Sequence, residues 1–220
     1  MRIGGLAMLV ERASDRVASR TVQRYRRAIT LGALREDVVK VPGYPRAFEH
    51  LSLSHFWGPT RPGGYLRLWP GATQAADRWF GRAVRRHRDG DLAGAFVELG
   101  RSAHLLADMA CPVHVHRVLH TPGDGYEWFV ETHGDALAAL PIPAAPAAER
   151  ASELVESLAR FTHRFPVDRT QHALGRWLVR RRLARPLPQD DIRRAATAII
   201  PVAIAHMTAL LELYVRRTGS

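Results

Sequence analysis

Apolar residues recur at helical spacing along almost the whole 220-residue chain, and no stretch shows the alternation typical of a β-strand. This pattern constrains the fold most, because a chain without strands must bury its apolar faces between packed helices. We therefore predict an all-α, single-domain helical bundle of residues 1–220. The helices are expected at 8–34, 72–88, 92–110, 126–140, 148–163, 168–184 and 190–216.

Prolines and glycines divide the predicted bundle. Residues 38–70 hold five prolines and no helical pattern, and an irregular stretch of this length in a compact domain is typical of a functional loop. A proline–alanine linker follows at 141–146, before C-terminal helices that we place within 147–220. Asp91 is expected to cap the helix that begins after it.

The basic side chains are almost all arginines. The chain has 32 basic and 21 acidic residues, a net charge of +11, and Lys40 is its only lysine. Arginine suits phosphate groups, so we expect a phosphate-containing small molecule or a lipid head group as partner. Nucleic acid is less favoured, because core packing is the simpler role for the neighbouring aromatic residues Trp57, Tyr65, Trp69 and Trp79.

The cysteine count and the lengths of the apolar stretches indicate the cellular compartment. Cys111 is the only cysteine, so no intrachain disulfide forms. The apolar run before Glu11 is too short for a signal peptide, and no stretch approaches the roughly 18 apolar residues of a membrane span. A cytoplasmic protein without a transmembrane segment is expected. The arginine-rich run at 176–185 fits a solvated helix face better than an anionic membrane surface.

Histidines and an aspartate concentrate near the middle of the chain. His104 and Asp108 lie four residues apart on a predicted helix, so both side chains project from one face. His114 follows just after the proline that ends the helix, with His116 and His120 beyond it. An isolated His-x-x-x-Asp pair is more often hydrogen-bonded than metal-binding, but imidazole and carboxylate are zinc ligands and the added histidines favour a metal site.

Residues 104–114 resemble the signature of the zinc-dependent phospholipase C and single-strand nuclease family. The shared pattern is His-x-x-x-Asp followed by x-x-x-Pro-x-His. The resemblance extends in order over residues 31–131, through the segments 32–37, 54–59, 91–100 and 126–130. It implies an all-α fold with this region as the metal-site core. It also implies hydrolysis of a phosphoester by metal-activated water.

The resemblance implies one complete metal site. Its ligands are Asp37, His55, His104 and Asp108, two from the irregular region and two from the helix. Asp108 is implied as the central or bridging ligand. Asp37 is implied to orient or deprotonate the attacking water, so these two carboxylates are the candidate catalytic residues.

A second family site is altered in this chain. His114 and Glu127 match its ligands, but the histidine that the family has four residues before the glutamate is Gly123 here. His120, His116 or Asp124 are the candidates to replace it. His120 is the favoured one, and His116 is the better candidate for flanking the site.

The third family site lacks its ligands. The family completes it with the free amino group of the mature chain and a histidine of the first helix, and this sequence has no histidine before His50. We therefore expect one or two zinc ions and no third.

Three functions follow from these features. The first is a zinc-dependent hydrolase of phospholipase C type that acts on a phosphoester. The second is a repurposed intracellular metalloenzyme of a biosynthetic pathway, which would use its metal as a Lewis acid. The third is a non-catalytic metal-binding protein.

Overall fold

Helices make up most of the described structure. The computed structural model describes residues 1–36, 55–58, 70–118, 124–170, 177, 179–181 and 185–220. Within these ranges there is no strand, which confirms the predicted all-α fold class. The helices are α1 (Ile3–Arg16), α2 (Arg20–Glu36), α3 (Ala72–Arg88), α4 (Leu92–Asp108), α5 (Pro112–Val115), α6 (Gly125–Ala138), α7 (Ala151–Thr162) and α8 (Gln189–Thr218).

The predicted helix at 8–34 is in fact two helices. Helix α1 ends before Val17, whose backbone is extended, and its N–H donates to the Ser14 carbonyl at 3.2 Å. The hydroxyl of Ser19 then accepts from the Val22 N–H at 3.3 Å, which is a serine cap for α2. The chain therefore turns between the helices without a glycine or proline. Most of the predicted loop at 38–70 and of the predicted helix at 168–184 lies outside the described residues.

Helix α4 lies at the centre of the bundle, packed mainly against α2 and α3. Asp91 caps it as predicted, since its side chain accepts from the Gly94 N–H at 2.9 Å. Two glycines let α2 and α4 come together, because a Cβ on Gly32 would lie 2.0 Å from the Val97 carbonyl oxygen and one on Gly100 the same distance from that of Ile29. Gly32 therefore serves a close helix contact, and α2 does not end there but continues to Glu36.

Helix α8 is buried along most of its length and packs mainly on α1, α6 and α7. Among the described residues it is the one helix long and apolar enough to cross a membrane by length and composition, with a mean hydropathy of 1.8 over a window that is 78% buried in the fold. The expectation that no segment approaches a membrane span is wrong in this respect. A helix surrounded by partners is apolar on every side, so a buried helix meets the same criteria.

Candidate metal centre

The buried carboxylate of Asp108, the last residue of α4, is the centre of the site. His104 lies one turn earlier, and its Nε2 is 3.1 Å from Oδ2 of Asp108. His55 approaches from the other side, with its Nδ1 2.8 Å from the same oxygen. The two imidazole nitrogens are themselves 3.3 Å apart. Three zinc-type donor atoms therefore converge, and we call His55, His104 and Oδ2 of Asp108 the first cluster.

The first cluster has dimensions that suit a metal ion. Tetrahedral zinc with bonds of about 2.0–2.1 Å to nitrogen and oxygen holds neighbouring ligand atoms about 3.3–3.4 Å apart. The three distances of 2.8, 3.1 and 3.3 Å form a slightly contracted triangle of this size. Within the described ranges, this is the one group of three histidine, cysteine or acidic side chains whose ligand atoms all lie within 4.8 Å of one another. The donor set and its spacing fit a metal.

The other oxygen of Asp108 belongs to a looser arrangement. The Nε2 of His114 is 3.6 Å from Oδ1, and the amino group of Met1 is 2.9 Å from the same atom. The amino group also lies 3.1 Å from Oε1 of Glu127, so it bridges two buried carboxylates. We call Oδ1 of Asp108, His114, Glu127 and the amino group of Met1 the second cluster.

The amino group of Met1 lies at the site, beside Asp108 and Glu127. The start of α1 is held in place by Glu131, whose Oε2 accepts from the N–H groups of Gly4 and Gly5 at 3.0 and 3.4 Å. This contact anchors the first turn of α1 next to α6 and brings the Met1 amino group to Asp108. Helix α1 adds no histidine. The expectation of one or two zinc ions with no third stays a prediction.

Helix α6 orients Glu127 through its own cap. Oδ1 of Asp124 accepts from the N–H groups of Tyr126 and Glu127 at 2.8 and 3.0 Å, which fixes the first turn of the helix. Asp124 was a candidate replacement for the ligand missing at Gly123. Its Oδ1 is committed to the cap, and its role as that replacement stays a prediction.

The segment that carries His55 is held against the turn that carries His114. The Trp57 N–H donates to the His114 carbonyl at 3.4 Å, and the Arg117 side chain donates from Nε to the Trp57 carbonyl at 3.1 Å. Arg117 has a positive φ of 53°, which is uncommon outside glycine. Its guanidinium fills the space where Gly58 has no side chain, since a Cβ there would lie 2.6 Å from it. These contacts set the position of His55.

The electrostatics of the site favour a charged Asp108. Burial raises the pKa of the Asp108 carboxyl, but His104, His114, the Met1 amino group and His55 together hold this pKa well below its ordinary value. Burial raises the pKa of the neighbouring Cys111 thiol well above its ordinary value, and the same cause raises that of Tyr126. The aspartate is therefore an anion surrounded by neutral or positive donors, which is the state that a metal needs.

The remaining sequence-predicted ligands separate into two groups. His116 faces away from the site, because its Nε2 donates to the Phe165 carbonyl at 3.0 Å and its ring stacks on His163 at 4.3 Å. His116 is therefore not the replacement ligand. Asp37 and His120 lie outside the described residues, and their roles stay predictions.

Of the aromatic residues considered for nucleic acid, Trp57 and Trp79 are buried, with 5% and 1% of their surface exposed. Tyr65 and Trp69 lie outside the described residues. Trp57 and Trp79 thus pack in the interior and offer no exposed stacking face. Of the arginine-rich run at 176–185, the described Trp177 is exposed and Arg181 lies over its ring.

No family model matches the chain, and no curated protein matches it in sequence. Solved structures do match in fold. The alpha-toxin of an avian Clostridium perfringens strain superposes with a TM-score of 0.67 at 15% identity, over 99% of this chain and 64% of the toxin. The alpha-toxin of Clostridium absonum gives 0.66 at 13% identity, over 99% of this chain and 65% of the toxin. The chain thus spans less than two thirds of either toxin's length, and at these identities it shares with them the all-helical fold.

Proposed function

We propose that this chain is a zinc-dependent hydrolase of phospholipase C type that cleaves a phosphoester. The observation that carries the proposal is the first cluster, in which two imidazoles and one carboxylate converge in the interior of the fold. His104 and Asp108 lie in the signature that resembles the zinc-dependent phospholipase C and nuclease family, and His55 lies in the resembling segment 54–59. The fold adds support, since the two alpha-toxin structures superpose on 99% of this chain with TM-scores of 0.67 and 0.66.

The cluster is costly to bury without a cation. A carboxylate and three imidazoles in an apolar interior lose their hydration, and such groups are retained where they bind metal or each other. Asp108 and His104 are fully buried, and His55 and His114 nearly so. A hydrogen-bonded structural group would not need three ring nitrogens directed at one carboxylate. A metal site explains this arrangement best.

Each side chain then has a definite task. A bound zinc ion supplies a Lewis acid for a phosphoryl oxygen and lowers the pKa of water. Asp108 presents one oxygen to each cluster and so fixes their separation. His55 and His104 hold the first cluster, and His114 and Glu127 hold the second. We propose that Asp37 orients or deprotonates the attacking water.

The proposed substrate carries a phosphate diester, as a lipid head group or a small molecule. The support is the charge of +11, carried almost entirely by arginine, which binds phosphate in a bidentate manner. Nucleic acid is less favoured, because Trp57 and Trp79, two of the aromatic residues considered for base stacking, are buried. The lipid head group and the small-molecule substrate have the phosphate diester in common.

The test is turnover of bis(p-nitrophenyl) phosphate and of phospholipid in mixed micelles by the zinc-loaded chain. Asp108→Asn keeps the size of the side chain but removes the charge that both clusters share. We expect it to lower the rate by about a thousandfold or more, since metal-assisted charge stabilisation is worth several kcal/mol. Asp135→Asn, an exposed change on α6, is the control and should leave the rate unchanged.

Two outcomes would contradict the proposal. Full activity in Asp108→Asn, with metal content unchanged, would show that the cluster takes no part in the reaction. Tight zinc binding by the wild type without hydrolysis of any phosphodiester would instead identify a non-catalytic metal-binding protein. Circular dichroism would show that the variants are folded.

A further inference from the structure

We propose that three arginines around Trp79 bind a phosphate group at a site separate from the metal centre. They are Arg78 and Arg82 of α3 and Arg101 of α4, and we call them the arginine cluster. The ligand is free phosphate or a phosphate monoester, because a guanidinium offers paired N–H donors that match the oxygens of such an anion. None of these residues belongs to the first or second cluster, so the site does not require a bound metal.

The three guanidinium groups converge on one aromatic ring. The Cζ atoms of Arg78, Arg82 and Arg101 lie 4.8, 5.0 and 3.3 Å from the ring centre of Trp79. Arg78 and Arg82 are four residues apart, so they lie on one face of α3. Arg101 reaches the same ring from α4, which packs closely on α3. Two packed helices therefore fix the position of the arginine cluster.

The buried ring of Trp79 holds positive charges close together. A guanidinium over an aromatic face is attracted by the ring quadrupole, and tryptophan attracts it most strongly. The attraction leaves the charge of each guanidinium in place, so the three groups still repel one another. An anion bound between them would remove this repulsion.

One carboxylate lies beside the arginine cluster. Oε2 of Glu98 is 3.6 Å from Nη1 of Arg101, and its Oε1 is 3.6 Å from Nε of Arg86. A single carboxylate balances the charge of one guanidinium. Glu98 therefore offsets the charge of Arg101 at most, and it leaves the charge of the two α3 arginines.

Those two arginines form no ion pair with an acidic side chain among the described residues. Asp77 precedes Arg78 in the chain, but its carboxylate accepts from the Arg150 guanidinium and from the Ser152 N–H, the latter at 2.9 Å. Arg78 is exposed and Arg82 is half-buried. Neighbouring guanidinium groups that solvent reaches and that no acid neutralises can bind an anion from solution.

A glycine inside α3 leaves space beside these arginines. Gly81 lies one turn after Arg78 and directly before Arg82, and glycine in the middle of a helix is less stable than alanine. A Cβ at this position would meet only Nη1 of Arg85, at 3.6 Å, so packing against the described residues does not require a glycine. Glycine is typical of places where a ligand approaches the backbone closely. The space is therefore a second observation that favours a bound ligand here.

Binding of inorganic phosphate to the full chain, measured by isothermal titration calorimetry, tests the proposal. The protein is used as purified, so phosphate at the metal centre contributes equally in the wild type and in variants of equal zinc content. Arg78→Gln/Arg82→Gln should weaken binding at the arginine cluster by about tenfold or more, since hydrogen bonds to charged groups are the strong ones. Added sodium chloride should weaken wild-type binding, because salt screens exposed charges.

Arg12→Gln/Arg24→Gln is the matched control. It removes the same two charges at exposed positions of α1 and α2, and Arg24 likewise lies over an aromatic ring, that of Tyr25, at 5.8 Å. Phosphate binding should be unchanged in this variant. An equal loss in both double variants would overturn the site, because net charge alone would then explain the binding.

A second assay distinguishes the sources of the phosphate. Sedimentation with phosphatidylcholine vesicles, with and without phosphatidic acid, compares a lipid head group with the free anion. Binding of free phosphate, or of phosphatidic acid vesicles alone, that is lost in Arg78→Gln/Arg82→Gln supports the site and identifies its ligand. A wild type that binds neither, or a double variant that binds both as the wild type does, would overturn it. Circular dichroism shows whether the variants are folded.

Discussion

The two clusters around Asp108 differ in where their side chains come from and in how closely they converge. In the first, His104 and Asp108 lie one turn apart on α4 and His55 completes a triangle with sides of 2.8–3.3 Å. In the second, the groups come from the chain start, α5 and α6, and the imidazole of His114 stands 3.6 Å from the carboxylate. The first is set mainly by helix geometry, and the second by tertiary contacts over long sequence separations.

Because of this difference, we expect the two clusters to respond differently to mutations in the helices around them. The first cluster should withstand changes at the surface of α1 and α6 but not changes within α4. The second depends on the anchoring of α1 by Glu131 and on the cap of α6 by Asp124.

Loss of the first cluster should have the largest effect. His104→Ala removes one of three converging donors, so we expect zinc affinity at this cluster to fall by about 100-fold or more and turnover to fall with it. His133→Ala, an exposed histidine on α6, is the matched control. Equilibrium dialysis against buffered zinc gives the affinity. Unchanged zinc affinity in His104→Ala would contradict the assignment of the first cluster.

A mutation in the second cluster should reduce metal binding there and leave the first cluster unchanged. His114→Ala should release one ion and leave the first cluster loaded, because His114 contacts the other oxygen of Asp108. Zinc content per chain, measured beside His104→Ala, gives the comparison. If the two variants lose metal to the same extent, the two clusters bind as one unit and the distinction between them fails.

The backbone contact beneath the first cluster can be tested separately. A Cβ on Gly100 would lie 2.0 Å from the Ile29 carbonyl oxygen, so Gly100→Ala should force α2 and α4 apart. We expect a loss of about 2 kcal/mol or more in unfolding free energy, since overpacking costs about 1–3 kcal/mol. Thermal unfolding measures it, with a fall of about 2–4 °C in Tm per kcal/mol at this chain length.

Gly81→Ala is the control for that change. In α3 an added Cβ would meet only the end of the Arg85 side chain, at 3.6 Å. Alanine should therefore stabilise the helix by about 0.5–1 kcal/mol relative to glycine. If both variants lowered Tm equally, the close approach of α2 and α4 would not be the cause.

The smallest effect should come from the anchor of α1. Glu131→Ala removes the acceptor for the Gly4 and Gly5 N–H groups, so we expect a loss of about 1 kcal/mol, as for other capping residues. It should weaken metal binding in the second cluster and leave the first unchanged. Glu11→Ala, at an exposed position of α1, should change stability by less than about 0.5 kcal/mol. Equal weakening of both clusters in Glu131→Ala would contradict a selective role.

The sequence predicts the first cluster better than the second, because local helix spacing sets most of the first cluster and contacts between distant residues set the second. The i and i+4 spacing of His104 and Asp108 fixes their geometry once the helix is recognised, and the cap at Asp91 marks where that helix begins. The contact between Met1 and Asp108 joins residues 107 positions apart, and no local pattern reports it.

Helix boundaries show the same contrast. The bounds of α3 agree with the prediction, because the sequence before the helix is rich in proline and a Gly–Asp turn follows it. The break between α1 and α2 was missed because Val17, Ala18 and Ser19 carry no glycine or proline, and the serine cap is indistinguishable from a polar position on a continuous helix.

The most direct test of the metal centre is zinc content per chain, measured by elemental analysis on protein purified without chelator or a histidine tag. The wild type should hold at least one zinc ion, and His104→Ala should lose it while keeping its helical content. A wild-type chain that holds no metal, and takes up none when zinc is added, would contradict a metal centre at His55, His104 and Asp108.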